Sequence, residues 1–410
     1  MVITEKSAVS ILVLDDDPFM LKLLGHLLAT QGYTQVTLCN SGQRALDMIA
    51  GPNYAADLIL SDLNMPQMDG LEFVRKLVER GYTGSLILVS GEDERVLQTA
   101  EKLVQAHRIT MLGQLHKPPT PERLAALLET WSTSSRAESR AAKKSYAAEE
   151  VRAAVTQGEL LNYYQPKVAV ATGELVGVET LVRWHHPADG MVFPDQFIGV
   201  AEANGLIDEL TRVVLTDALA QVKSWHTAGL MLRVAVNISM DNLAALDFPD
   251  YVAALAAAAG VSAQRVVLEV TESRLMKDAR APLEILTRLR LKRFGLSIDD
   301  FGTGHSSLTQ LRDIPFDELK IDQSFVHYAW REETLRAMYD ASLSLGKRLG
   351  MEVVAEGVED RDDWDLVRRT ECDMAQGYFI ASPMPAADLP GWMAEWQARL
   401  RDADLIPTPS

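Results

Sequence analysis

Residues 295–308 read GLSIDDFGTGHSSL, an apolar run that ends in two carboxylates, Asp299 and Asp300, followed by a glycine-rich segment. The pattern predicts a buried strand whose C-terminal end hands two acids to a loop. Successive side chains on a strand point to opposite faces, so the two aspartates share one site only if the strand is ending there. Neighbouring carboxylates in a partly dry cleft repel each other, and one is pushed towards protonation unless a cation lies between them. A divalent metal resolves that conflict; an isolated Asp pair would instead be read as the cap of the next helix. The rest of the chain decides between the two.

Around this stretch, from about residue 150 to 400, one grammar repeats: a short apolar run, a polar residue at its end, then a helical pattern. The runs are LLNYYQP, ELVGVETLVRW, LRVAVNIS, RVVLEVTE, FGLSIDDFG, DELKIDQSF, EVVAEGVE and MAQGYFIA. Their markers are Gln165, Glu179, Asn237, Glu269, Asp299, Lys320, Glu356 and Gln376, and from Asn237 onward the intervals are 32, 30, 21, 36 and 20 residues. Such spacing fits successive strand-helix units, and eight of them closing on themselves form a TIM-like (β/α)8 barrel whose C-terminal strand ends converge. Gln165 and Glu179 lie too close in sequence for a helical crossover, so an antiparallel first strand is expected. Converged, Glu179, Glu269, Asp299, Asp300 and Glu356 bring about five negative charges, which a closed cleft cannot hold without cations. Oxygen ligands select Mg²⁺ or Mn²⁺, and two ions fit the charge better than one. A metal pair sharing Asp299 could clamp an in-line displacement at phosphorus.

The earlier part reads as a smaller α/β unit. VSILVLDDD, ADLILSDLNMP and SLILVSGEDE are strands ending in polar residues, separated by amphipathic segments such as PFMLKLLGHLLATQG. The alternation predicts a doubly wound parallel sheet, flavodoxin-like, with Asp15, Asp16, Asp62, Ser90 and Lys117 gathered beyond the strand ends. Residues 131–146, rich in Ser, Ala and charge, read as a linker, with a continuous helix as the competing reading. The expected organisation is therefore a first domain over 1–130, a linker over 131–146, a barrel over 147–402 and a disordered tail over 403–410.

Composition bounds the function. At 410 residues, 47% hydrophobic and 24% charged, the chain has the make-up of a globular protein of two domains. Cys39 and Cys372 are the only cysteines, which excludes a disulfide framework or a Cys-rich metal site. The opening residues lack a signal peptide's cleavage region and no run approaches a membrane span, so a cytoplasmic location without membrane attachment is expected. A formal net charge of -17 argues against DNA as a partner.

Two resemblances follow from these motifs. Residues 9–130 resemble a receiver domain of a bacterial two-component response regulator. That resemblance implies phosphorylation of Asp62, one Mg²⁺ held by Asp15, Asp16 and Asp62, switch residues Ser90 and Lys117, and a cognate sensor histidine kinase. Gln114 occupies the position, three residues before Lys117, where receivers usually carry an aromatic switch residue, which argues against signalling by aromatic rotation. From Ala147 to Leu400 the chain is similar to an EAL-type cyclic di-GMP phosphodiesterase, through ETLVRW, NIS, EVTES, DDFGTGHSSL, LKID, AEGVE and QGY. That similarity implies a first metal on Glu179, Asn237, Glu269 and Asp299 and a second on Asp299, Asp300 and Glu356. It further implies that Lys320 positions the attacking water, with Glu356 the alternative general base, and that Arg183, Gln165 and Gln376 contact substrate. Glu272 would anchor the loop that Gly302 and Gly304 allow to hinge. The name-giving triplet here is Glu179-Thr180-Leu181, with Thr for the usual Ala, and His305 replaces a common Tyr; that histidine is read as a packing residue before a metal ligand. Cleavage of cyclic di-GMP to linear pGpG, by a homodimer or higher homo-oligomer, is the expected activity, with a non-cleaving dinucleotide-binding effector as the alternative.

Overall fold

The computed structural model describes residues 6, 9–51, 54, 56–82, 84–91, 104, 109–138, 146–271, 280–303, 311–312, 314–402 and 405. Two compact units make up the chain, Met1–Ala142 and Lys143–Ser410. Glu272, Gly304 and His305 lie outside the described residues.

The first unit holds five parallel strands, β1 (Ser10–Leu14), β2 (Gln35–Cys39), β3 (Leu58–Asp62), β4 (Ser85–Ser90) and β5 (Thr110–His116), in the order β2-β1-β3-β4-β5. Its inner strands are apolar at nearly every position because helices cover both faces. Leu12, Leu14, Ile59, Leu86 and Leu88 enter one core, while Ile11, Val13, Leu58, Leu60, Ile87 and Val89 enter the other. The first helix, Pro18–Thr30, starts where the Asp17 side chain accepts the Phe19 amide at 2.8 Å and Pro18 supplies a helical φ. This cap fixes the loop that follows β1, where Asp15 and Asp16 sit. The helix Pro121–Glu138 continues through the first half of the segment read as a linker.

In the second unit the eight apolar runs all become strands: β6 (Leu160–Ala169), β7 (Leu175–His186), β9 (Arg233–Ile238), β10 (Val266–Thr271), β11 (Gly295–Phe301), β12 (Glu318–Ile321), β13 (Glu352–Ala355) and β14 (Met374–Ala375). A short β8 (Gly190–Val192) hangs on β7 as a hairpin. Hydrogen bonding runs β6-β14-β13-β12-β11-β10-β9-β7, and the β6–β7 pairing closes the barrel. As the short Gln165–Glu179 spacing requires, β6 is antiparallel to β7 and to β14, while β7 and β9 to β14 run parallel. Alternation sorts the faces. Leu268, Val270, Leu296, Ile298, Leu319, Ile321, Val353 and Ala355 point outward into one core with the helices, whose burial contributes roughly 1.5–3 kcal/mol per large side chain. Their neighbours Glu269, Ser297 and Lys320 therefore line the interior.

Leu405, in the tail expected to be disordered, is buried, and its carbonyl accepts the Trp364 indole N–H at 3.1 Å. An apolar residue that covers a buried tryptophan gains more from docking than from hydration. Among the described residues no helix is long and apolar enough to cross a membrane.

Candidate active site

The eight markers meet at one end of the barrel. Lys320, 1% exposed, is the centre: its Nζ lies 2.7 Å from Glu356 Oε1, 2.9 Å from Asp299 Oδ1, 3.2 Å from Glu179 Oε2 and 3.3 Å from Glu269 Oε2. Gln376 Nε2 donates to Glu179 Oε2 at 2.7 Å and to Gln165 Oε1 at 2.9 Å. Gln165 Nε2 in turn donates to the Ala381 carbonyl at 3.0 Å, and Asn237 Nδ2 donates to Glu179 Oε1 at 2.9 Å. Three side chains, Asn237, Lys320 and Gln376, thus converge on Glu179 alone. Arg183 stands apart from the acids: its Nη1 donates to the Val182 carbonyl at 2.9 Å, and its guanidinium lies 5.2 Å from the Phe193 ring centroid and 5.8 Å from that of Tyr163.

Asp299 and Asp300 reach the same mouth by a route the alternation rule does not allow for. The strand runs on to Phe301, but Asp300 adopts a left-handed φ of 55° and the pairing with β12 slips between Ile298 and Phe301. This irregularity, rather than a strand end, turns both carboxylates inward. Two groups of acids result, each with carboxylate oxygens within 4.8 Å of one another: Glu179, Glu269 and Asp299, and Asp299, Asp300 and Glu356.

Burial and neighbouring charge set the electrostatics of the mouth. Burial, then the charge of Glu179, pushes Glu269 up to about 8 although Lys167 and Lys320 oppose it. Burial, Asp299 and Asp322 push Asp300 up to about 7, and burial carries Glu356 well above the usual range. Glu179 is the exception: burial would raise it, but Lys320, Lys167 and the amides of Gln376 and Asn237 hold it down at about 2. For Lys320, burial is outweighed by its four carboxylates, so the amine stays an ammonium. The cluster carries more carboxylate than its lysines offset. The acidic clusters, two overlapping groups of three oxygen donors, could hold divalent metal.

Two residues escaped the sequence reading. Lys167 Nζ lies 2.7 Å from Glu269 Oε1 and 2.9 Å from Glu318 Oε1, all three side chains being buried. The available signal was the strand period: Lys167 is two residues from Gln165 and Glu318 two from Lys320, hence on the same interior face.

The first unit gathers its own acids. Lys117 Nζ lies 2.7 Å from Asp15 Oδ2 and 2.8 Å from Asp62 Oδ2, and Asp15, Asp16 and Asp62 bring oxygens within 4.8 Å of one another. Burial raises Asp15 despite Lys117. Ser90, buried at the end of the neighbouring strand β4, lies in register with His116, next to Lys117 in sequence.

Comparison with known proteins agrees with both units. Residues 148–383 match the model of the EAL domain and residues 11–129 that of the response regulator receiver domain. Similarity extends over 379 residues, at 32% identity, to the cyclic di-GMP phosphodiesterase RocR of Pseudomonas aeruginosa, covering 92% of this chain and 96% of that protein. The cyclic di-GMP phosphodiesterase NbdA of the same organism is 43% identical over 242 residues, 59% of this chain, and the chain spans 31% of its length. The structure of the PaMucR phosphodiesterase in complex with c-di-GMP superposes with a TM-score of 0.57 at 38% identity, covering 59% of this chain and 98% of that one. Matched over more than half its length by one model, with the other ahead of it, the chain belongs to the EAL domain family and carries an N-terminal response regulator receiver domain.

Proposed function

We propose that the chain is a cyclic di-GMP phosphodiesterase that opens one phosphodiester bond to release linear pGpG, with the rate set by phosphorylation of Asp62. The observation that carries this reading is the sharing of Asp299 by two groups of three acids around the Lys320 ammonium. Five carboxylates and one ammonium leave a formal charge that two divalent cations cancel. Glu179, Asn237, Glu269 and Asp299 would hold one Mg²⁺ or Mn²⁺, and Asp299, Asp300 and Glu356 the other; Asn237 serves once its amide oxygen is turned to the mouth. Bound there, the metals supply Lewis-acid charge for a phosphorane-like transition state.

The protein's own groups supply the rest. Lys320, kept charged, donates to the attacking water and orients it towards phosphorus. An ammonium has no lone pair with which to accept a proton, which leaves Glu356, 2.7 Å from Lys320 Nζ, as the acceptor of the two. As the water oxygen bonds to phosphorus, its proton passes to Glu356, the P–O3′ bond breaks, and the leaving oxygen gains a proton from solvent. The planar Arg183 fork suits a substrate phosphate, while Gln376, itself bonded to Gln165, holds Glu179, and both glutamines border the substrate. Glu272 remains the proposed anchor of the loop after Phe301. In the receiver, Asp62 would take its phosphoryl group from a sensor histidine kinase with one Mg²⁺ on Asp15, Asp16 and Asp62, and Ser90 and Lys117 would meet the new charge. A cytoplasmic location and a homo-oligomer belong to the same reading.

Incubation of the purified full chain with cyclic di-GMP and Mg²⁺ tests it. Release of pGpG is expected; dinucleotide binding without cleavage, with and without phosphodonor, would replace the enzyme by a binding effector.

A further inference from the structure

Below the acids at the mouth lies a second interior layer. The β6–β7 register pairs Gln165 with Glu179 and Lys167 with Gly177, so Lys167 sits one step deeper than the Glu179 layer and opposite a residue with no side chain. On β12, Glu318 is likewise one step deeper than Lys320. The long Lys167 side chain reaches across this space to Glu269 Oε1 at 2.7 Å and Glu318 Oε1 at 2.9 Å, and is 3% exposed. A small cavity bordered by Lys167, Gly177, Arg233, Ala235 and Glu318 adjoins it.

The two oxygens of Glu269 therefore meet different cations. Oε1 is taken from below by Lys167, and only Oε2, 3.3 Å from Lys320 Nζ, faces the mouth. We infer that Lys167, anchored by Glu318, is a positioning residue that presents Glu269 to the first metal through one oxygen and thereby sets the affinity of that metal position. This rests on the metal reading of the mouth proposed above. Partners behind a ligand fix its orientation, and their loss typically weakens metal binding about 10–100-fold.

Charge and position can be separated because Lys167 and Glu318 together are formally neutral. Removing both leaves the charge at the mouth unchanged and takes away only the hold on Glu269. Removing a buried pair together also avoids an uncompensated buried charge. The experiment uses the full chain with Asp15→Asn and Asp16→Asn as the parent and in every variant, so that the receiver position is removed; it titrates Mn²⁺ without substrate, follows free Mn²⁺ by its paramagnetic resonance signal, and measures thermal unfolding of the metal-free proteins. The variants are Lys167→Met/Glu318→Leu, Lys167→Gln/Glu318→Gln in case the apolar pair does not fold, and Lys167→Arg. We expect Mn²⁺ affinity to fall about tenfold or more in a folded double variant, and to stay near that of the parent chain in Lys167→Arg. A folded double variant with parent-like Mn²⁺ affinity overturns the inference and leaves the pair a core-filling ion pair. Failure of the parent chain itself to bind Mn²⁺ overturns the metal reading of the mouth, and this inference with it.

Discussion

Asp299 belongs to both groups of acids, and Lys320 touches four of their members, so neither residue can be changed without disturbing every charge in the mouth. Replacing Lys320 by Ala removes the ammonium proposed to orient the reacting water; replacing Glu179 by Ala removes the carboxylate on which Lys320, Asn237 and Gln376 converge. Each is expected to lower kcat for pGpG release by roughly 10²–10³-fold or more, and near-normal turnover by both variants would refute the assignment. Protonation provides a second test. Burial and neighbouring acids raise Glu269 to about 8 and Asp300 to about 7 in the metal-free chain. Unfolded, both groups titrate near 4, so the folded chain holds extra protons between about pH 4 and pH 8. Their contribution to stability is present at the acid end of that window and is lost as pH rises through it. A divalent cation displaces those protons, so the increase in Tm on adding Mn²⁺ should be larger near pH 8.5 than near pH 6. An increase that is equal at both, or greater at the acid end, contradicts this.

At the scale of the element, β11 explains how adjacent aspartates come to share a site. Its left-handed Asp300 is followed by Gly302 at φ 99°, where an added Cβ would collide with the Phe325 ring. Gly302→Ala should therefore lower Tm, by the equivalent of about 1 kcal/mol or more, and reduce turnover, because both the φ and the contact resist it. Asparagine adopts the left-handed region readily, so Asp300→Asn should keep the parent Tm without metal while losing turnover. Equal thermal unfolding of the parent and Gly302→Ala would show that this backbone bend is not under the constraint described. The antiparallel β6 has its own consequence: it delivers Gln165 and Lys167 to successive interior layers from one strand.

At the scale of the whole molecule, two units with separate hydrophobic cores each present a lysine held among buried acids. In the first, the lysine is Lys117 and the group expected to change is Asp62. In the proposed reading, phosphorylation there would add charge that Lys117 is placed to meet, and the first unit would act as a switch for the second. Asp62→Asn is expected to abolish any change in cleavage rate on addition of a small-molecule phosphodonor. A phosphodonor response that survives this substitution would remove Asp62 as the point of control.

The order of apolar runs, their polar ends and the short Gln165–Glu179 interval carried the barrel, its antiparallel first strand and the convergence of distant acids, because strand period and chain length limit how such runs can close. Residue chemistry carried the need for hard cations in the same way. The inward turn of both Asp299 and Asp300 depended on a backbone irregularity that no local pattern encodes. The role of Lys167 and Glu318 likewise emerged only from register, since a polar residue inside a barrel is defined by what the opposite strands bring to it. The docking of Leu405 against Trp364 was decided by a surface assembled from remote segments, which local composition could not supply.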